Sequence, residues 1–202
     1  MKHPIPPVGA DPAREARLAT YRDLLLRWNA TINLVAAKTA ADIDRRHIAD
    51  SLQLLPLLPA EGQIADLGSG AGLPGLVLAA ALPERDVHLV ESDRRKAAFL
   101  IEAAGTLKLG KVKVHATRIE QAVLPPLAAV TARALAPLPV LLGYAMEFLA
   151  PGGIAILPKG RTAEQELTSA ATDWHFTVER FASRTDPEAT ILRLSEICRA
   201  GH

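Results

Sequence analysis

The stretch from Ile64 to Leu76, Ile-Ala-Asp-Leu-Gly-Ser-Gly-Ala-Gly-Leu-Pro-Gly-Leu, constrains the fold more than any other part of this 202-residue chain. A short apolar run, Ile64 to Leu67, carries Asp66 near its end, and Gly68, Gly70, Gly72 and Gly75 follow within eight residues. An apolar, helix-like run comes next. That order predicts strand, tight turn and helix start, the opening of a nucleotide-binding α/β unit. The turn needs backbone angles that glycine adopts at little cost, and a ligand must approach the main chain closely. The helix start presents unpaired N–H groups to whatever lies there.

Two ligands compete for such a loop. Gly70-Ala71-Gly72-Leu73-Pro74-Gly75 satisfies G-x-G-x-x-G, the dinucleotide pattern. Asp66 with Gly68, Gly70 and Gly72 matches instead the D-x-G-x-G-x-G loop that binds S-adenosyl-L-methionine (AdoMet). The carboxylate favours the second, because it would repel a pyrophosphate but suits the cationic sulfonium and amino groups of AdoMet. Glu91 lies 23 residues after Gly68, where a carboxylate can accept from ribose hydroxyls. Both ligands carry that ribose, so Glu91 does not choose between them.

The rest of the chain extends the unit. Short apolar strands are expected at 87–90, 111–116, 127–134 and 154–157, with helices at 73–82, 93–107 and 138–149 between them. A helix near 162–172 and two strands, 175–182 and 189–194, close the chain as an antiparallel hairpin. Repeated β-then-α units predict a parallel, doubly wound, Rossmann-like sheet with helices on both faces. Ahead of it, Leu18, Tyr21, Leu25, Trp28 and Ile32 fall at helical spacing. Thr39-Ala40-Ala41-Asp42 reads as a capping box, and 43–58 as a second helix. Residues 1–60 therefore form a helical cap and 61–202 the α/β domain. Met1 to Pro12 is expected to be a loose lead-in.

Composition removes several classes. At 49% hydrophobic and 22% charged residues the chain has the balance of a water-soluble globular protein. No apolar run approaches the roughly 18 residues that span a membrane. The proline-rich N-terminus has no signal-peptide core, so a cytoplasmic location is expected. His47 has no partner at metal spacing, and no metal site is expected. A net charge of +1 announces no nucleic-acid binder. Between Arg85 and Arg118, however, eight Lys or Arg face four Asp or Glu, and the run Arg94-Arg95-Lys96 could be a phosphate-contacting patch or a solvated helix face.

Ligands of open α/β sheets bind beyond the carboxyl ends of the strands. Asp66, the glycine loop, Glu91, Arg133 and Lys159 stand at those ends. Arg133 interrupts an apolar strand, so it should be paired or face the cleft. Lys159 reads similarly or as a surface lysine. Arg46 and Asp50, four apart, read as a local ion pair. Absences narrow the reaction. The only cysteine, Cys198, is far from the cleft, which disfavours covalent addition to a pyrimidine. The Asn/Asp-Pro-Pro-aromatic loop used on exocyclic amines is replaced by Ala132-Arg133-Ala134-Leu135. A ring nitrogen such as guanine N7 loses no proton and needs only proximity and in-line orientation.

These residues together resemble the RsmG (GidB) family of bacterial 16S rRNA guanine-N7 methyltransferases. The matches are Trp28-Asn29 with Asn33-Leu34, Arg46-His47-Ile48 with Asp50-Ser51, and Asp66 through Gly75. They continue with Glu91-Ser92, Phe99-Leu100, Arg118-Ile119-Glu120, Arg133-Ala134 and Lys159-Gly160. The resemblance implies a class I AdoMet-dependent methyltransferase that acts on 16S rRNA, with S-adenosyl-L-homocysteine as product; a monomer is expected. It implies AdoMet contacts by Gly68, Leu73, Ile119, Glu120 and Arg133, with Ile119 and Glu120 flanking the adenine, Glu91 near the ribose and Arg133 also catalytic. Arg46, Arg94, Arg95, Lys96 and Lys159 become candidates for RNA phosphates. The chain departs from the family at Glu91, where aspartate is expected, and at Ala71, where proline is frequent. A small-molecule methyltransferase and an NAD-linked oxidoreductase are the alternatives.

Overall fold

A computed structural model describes residues 2–36, 39 and 42–201. Seven strands form one sheet: β1 (Ile64–Leu67), β2 (Val87–Val90), β3 (Val112–His115), β4 (Leu127–Thr131), β5 (Leu149–Lys159), β6 (Trp174–Ala182) and β7 (Thr190–Arg199). Their order is β3-β2-β1-β4-β5-β7-β6. The first five are parallel, and β7 runs antiparallel to both β5 and β6. The strand order reverses between β1 and β4, which opens a crevice at their carboxyl ends. This is the expected doubly wound sheet with its closing hairpin. β1 and β2 are buried along their whole length, as strands covered on both faces must be.

Helix α1 (Pro12–Asn29) starts where the Asp11 side chain accepts from the N–H groups of Ala13 and Arg14, with Pro12 at its first position. It ends at Asn29, whose Oδ1 accepts from Leu34 and Val35 N–H at 2.9 Å. Ile32 therefore lies beyond the helix it was expected to extend. Leu18, Tyr21, Leu24 and Leu25 join one apolar cluster with Leu76 of α3 (Gly75–Ala81) and with Phe99 and Leu100 of α4 (Arg94–Thr106). Trp28 packs edge-on against Phe99, ring centres 5.7 Å apart. Burial of side chains this size contributes about 1.5–3 kcal/mol each, which keeps the cap on the sheet.

Several local expectations change. The segment 43–58 is not one α-helix: a π-helical turn, Asp44–Ala49, runs into the short α2 (Asp50–Leu52) and a 3₁₀ turn, Leu55–Leu57. Pro56 cannot continue a helical ladder, and the wider π turn removes the four-residue stacking assumed for Arg46 and Asp50. Of the expected capping box, Ala40 and Ala41 lie outside the described residues. The lead-in is pinned: His3 exchanges main-chain hydrogen bonds with Arg180 and Ala182 of β6, and Ile5 is buried. Strand β5 begins at once after α5 (Leu138–Phe148), ahead of the expected start at 154, with Pro151-Gly152-Gly153 as a bulge inside it. Helix α6 (Ala163–Ala170) leads to the hairpin.

Candidate active site

The chain leaves β1 through a bend in which Gly68, Gly70 and Gly72 all have positive φ, +67°, +54° and +82°. Side chains rarely adopt those angles, so three alternate glycines follow from the geometry. The bend is held mostly by main-chain groups. Ser69 N–H donates to the Val90 carbonyl, Gly72 N–H to the Ser69 carbonyl, and Ser69 Oγ to the Asp66 carbonyl. From below, the buried Tyr21 of α1 donates its hydroxyl to the Ala71 carbonyl at 2.6 Å.

Asp66 is turned into the interior. It is 1% exposed; Oδ2 accepts from Gly75 N–H at 3.0 Å and Oδ1 from the Thr131 hydroxyl at 3.1 Å. Burial pushes its pKa up to about 7, against the pull of those donors. Its carboxyl therefore ties the start of α3 to β1 and β4, a correction to the direct cationic contact expected of it. Gly75 is needed for that tie, because a Cβ there would lie 2.8 Å from Asp66 and 2.4 Å from Leu89.

Glu91, at the end of β2, is also buried, but its carboxylate edges the bend. Oε2 accepts from Gly70 N–H and Oε1 from Asp93 N–H, each at 2.8 Å. Each oxygen keeps a further lone pair for a hydroxyl donor. Beyond β3, a 3₁₀ turn, Ile119–Gln121, buries Ile119 and exposes Glu120, whose Oε1 accepts from the Tyr144 hydroxyl on α5. That hydrogen bond lowers the Glu120 pKa. Leu73 is buried in the core cluster beneath the bend. On its open side, a Cβ at Gly68 would lie 2.6 Å from Leu135 Cδ1, so the segment after β4 rests directly on the glycines.

That segment, 132–137, also carries Arg133. The Arg133 guanidinium reaches the cap: Nη1 donates to Asp50 Oδ2 at 3.3 Å, and Nη2 lies 3.1 Å from His47 Nδ1. Asp50 is thus paired with a residue 83 positions away rather than with Arg46. Arg46 turns outward to Asp42 at 3.6 Å. Arg133 is both paired and at the rim of a cleft of about 1210 Å³, the two outcomes expected of it. The cap forms one wall of this cleft, the 134–137 segment and the end of β5 a second, and the β6–β7 loop a third. Arg45, Arg46 and Arg161 open onto it.

A family model described as rRNA small subunit methyltransferase G, GidB, matches residues 14–188. The chain belongs to this family. Ribosomal RNA small subunit methyltransferase G of Granulibacter bethesdensis is 57% identical over 196 residues, 96% of this chain and 91% of that protein. The same enzyme of Acidiphilium cryptum is 58% identical over 186 residues, 91% and 85% of the two chains. Among solved structures, N-methyltransferase NodS from Bradyrhizobium japonicum with S-adenosyl-L-homocysteine superposes at a TM-score of 0.58. It is 16% identical and covers 90% of this chain and 99% of its own. M. jannaschii TYW2 with AdoMet gives 0.58 at 15% identity, covering 85% and 80%. At these identities the structures establish the class I methyltransferase fold.

Within this GidB chain the basic candidates separate. Lys159 is not a free cation: its side chain is 9% exposed, and Nζ donates to Glu166 Oε2 at 2.8 Å and to the Ala136 carbonyl at 3.1 Å. Glu166 Oε2 also accepts from Leu138 N–H, so this pair clamps the segment that bears Arg133 and Leu135. A lysine flanked by Pro158 and Gly160 reads as exposed in sequence because its acidic partner lies on a later helix. Arg94 and Arg95 are exposed and Lys96 half-buried, at the start of α4. Three cations there oppose the helix dipole, and the Asp93 cap partly offsets them. The site roles of Tyr21, His47, Asp50, Leu135 and Tyr144 escape the sequence reading. A signal exists for two: His47 and Asp50 lie in the specific Arg-His-Ile-x-Asp-Ser element, and Arg133 requires a partner.

Proposed function

We propose that this protein transfers a methyl group from AdoMet to N7 of a guanosine in small-subunit (16S) rRNA, in line and without a covalent enzyme intermediate. The residues around the bend fit AdoMet. A Cβ at Gly70 would meet nothing nearer than the Gly68 carbonyl at 3.8 Å, so this part of the main chain borders open space. When bound, AdoMet supplies an electrophilic methyl on a sulfonium. Gly68, Gly70, Gly72 and Leu73 would line its main-chain side, Glu91 would accept from the ribose hydroxyls, and Ile119 and Glu120 would bracket the adenine. Asp66 acts behind them by fixing the bend.

The acceptor nucleotide enters the cleft across the 132–137 segment. The observation that supports this reading is the position of Arg133, at the cleft rim two residues before Leu135, which rests on Gly68. Three of its five N–H groups point to Asp50, His47 and the Arg46 carbonyl, which leaves two for a ligand. Alkylation at N7 removes no proton, so these residues have only to orient the base and exclude water. Arg46, Arg94, Arg95 and Lys96 are the phosphate contacts in this reading; Lys159 shapes the cleft from within. Among the described residues no helix is long and apolar enough to cross a membrane, and no cluster of His, Cys, Asp or Glu could hold a metal. The reading includes a cytoplasmic monomer.

The test is transfer of labelled methyl from AdoMet to small-subunit particles that lack the modification, followed by nucleoside identification. Label in 7-methylguanosine of the RNA is expected. Label on another base atom, a protein or a small metabolite overturns the substrate.

A further inference from the structure

Among the described residues, the guanidinium of Arg133 is held from the N-terminal cap and by no side chain of the sheet it follows. Its partners are themselves fixed. Asp50 Oδ1 accepts from Thr185 Oγ1 at 2.6 Å and from Gln53 Nε2 at 2.8 Å, which anchors Asp50 to the β6–β7 loop. His47 Nε2 lies 2.9 Å from Thr39 Oγ1. A guanidinium has donors only and does not deprotonate, so its contact with His47 assigns the tautomer. Nδ1 is the acceptor, and the proton sits on Nε2, where it donates to Thr39. A single carboxylate would let the guanidinium swing; a carboxylate and an imidazole from different directions fix its plane.

We propose that Asp50 and His47 are positioning residues for Arg133, so that the cap completes the active site and gives the reaction an acid limb set by His47. The proposal rests on Arg133 acting at the site as read above. A proton on His47 Nδ1 turns the acceptor into a donor and places one cation against another, so the ring must turn away and Arg133 loses one of its two side-chain holds. The charged groups around His47 are Arg133 from the 132–137 segment and Arg46, Asp42 and Asp50 from its own. Burial first, then the Arg133 charge, keeps the His47 pKa below its ordinary value, so the accepting form prevails at neutral pH. Turnover should therefore fall on the acid side, as pH drops below the ordinary histidine range.

The experiment compares the full chain with Arg133→Ala, Asp50→Asn, the Arg133→Ala/Asp50→Asn double variant, His47→Gln and His47→Ala. It reads kcat on small-subunit particles against pH, together with AdoMet Kd and Tm. Asp50→Asn is expected to lower kcat by about a hundredfold, since a displaced positioning group costs that much. The same change made on Arg133→Ala should add little. His47→Gln keeps an acceptor that does not titrate, so its acid limb flattens and its kcat at pH 8 exceeds that of His47→Ala. If Asp50→Asn does not fold, the two His47 variants carry the test alone. The proposal is overturned if Asp50→Asn costs the same factor with and without Arg133, or if the acid limb of His47→Gln superimposes on that of the unmodified chain. Full turnover by Arg133→Ala would remove Arg133 from the chemistry and the proposal with it, whereas the identity of the labelled nucleoside tests the substrate separately.

Discussion

The two sides of the site are stabilised in different ways. On the glycine side, the carboxyls of Asp66 and Glu91 close onto main-chain N–H groups 9 and 21 residues away. On the cleft side, Arg133, Asp50 and Thr185 join side chain to side chain across 83 and 135 residues. A bend pinned at its main-chain groups depends on the backbone angles that glycine permits and on a few buried side chains. A cleft assembled from distant charged and hydroxyl groups can be adjusted, titrated or dismantled one group at a time. Under the function proposed above, the glycine side holds the donor in a fixed frame, and the cleft side sets the choice of acceptor.

The sharpest break of this contrast is Gly75→Val. Added carbons would collide with Leu89 and Asp66, so unfolding free energy should drop by about 3 kcal/mol, measured by denaturant titration, with AdoMet binding abolished in parallel. A drop below half of that would mean the bend yields more than its packing implies.

Asp66 tests the glycine side through pH. Its pKa is raised from 3.8 to about 7, so the stability it contributes is present in acid and declines as pH rises toward and through 7. Relative to Asp66→Asn, the unmodified chain should lose about 4 kcal/mol between pH 4 and 8. His47 carries the opposite sign: its pKa is lowered, so its contribution is present above its ordinary value and declines as pH falls. A flat difference between the chain and Asp66→Asn would show that Asp66 is ionised throughout.

Lys159→Met separates clamp from RNA contact. Leaving Glu166 without its cation should cost about 1–2 kcal/mol of stability, while the salt dependence of RNA binding stays unchanged because the ammonium is buried. A shallower salt slope would return Lys159 to the RNA surface. The smallest effect on folding is expected from reversing Arg94, Arg95 and Lys96. Acidic residues there suit the start of α4 and should stabilise it by about 0.3–1 kcal/mol each. RNA affinity should nevertheless fall, with a salt slope smaller by about one for each phosphate no longer neutralised. Unchanged affinity and slope would make this run surface decoration.

How much of this is legible in the sequence follows the same contrast. The glycine bend, β1, β2 and the order of α/β units depend on neighbours in sequence, and their residue types announce them. The bounds of β2 fall where the apolar run places them. Asp66 reads correctly as part of the turn but with the wrong direction, because sequence does not tell a buried carboxyl from one at the surface. Arg133 can be marked as needing a partner, yet nothing local names Asp50. The π turn at 44–49 is invisible, since the same residues satisfy an α-helical pattern. Lys159 misleads for the same reason as Asp50: its partner comes from an element that folding, not spacing, brings near.

The link between Asp50 and Thr185 bears on the order in which the molecule can mature. As a chain is synthesised from its N-terminus, the strand and glycine bend at 64–76 emerge early, and Thr131, which holds Asp66, follows them. The acceptor cleft has no third wall until residue 185 has emerged, more than a hundred positions later. Under the function proposed above, the cleft for the acceptor is thus the last part of the site that an emerging chain can complete.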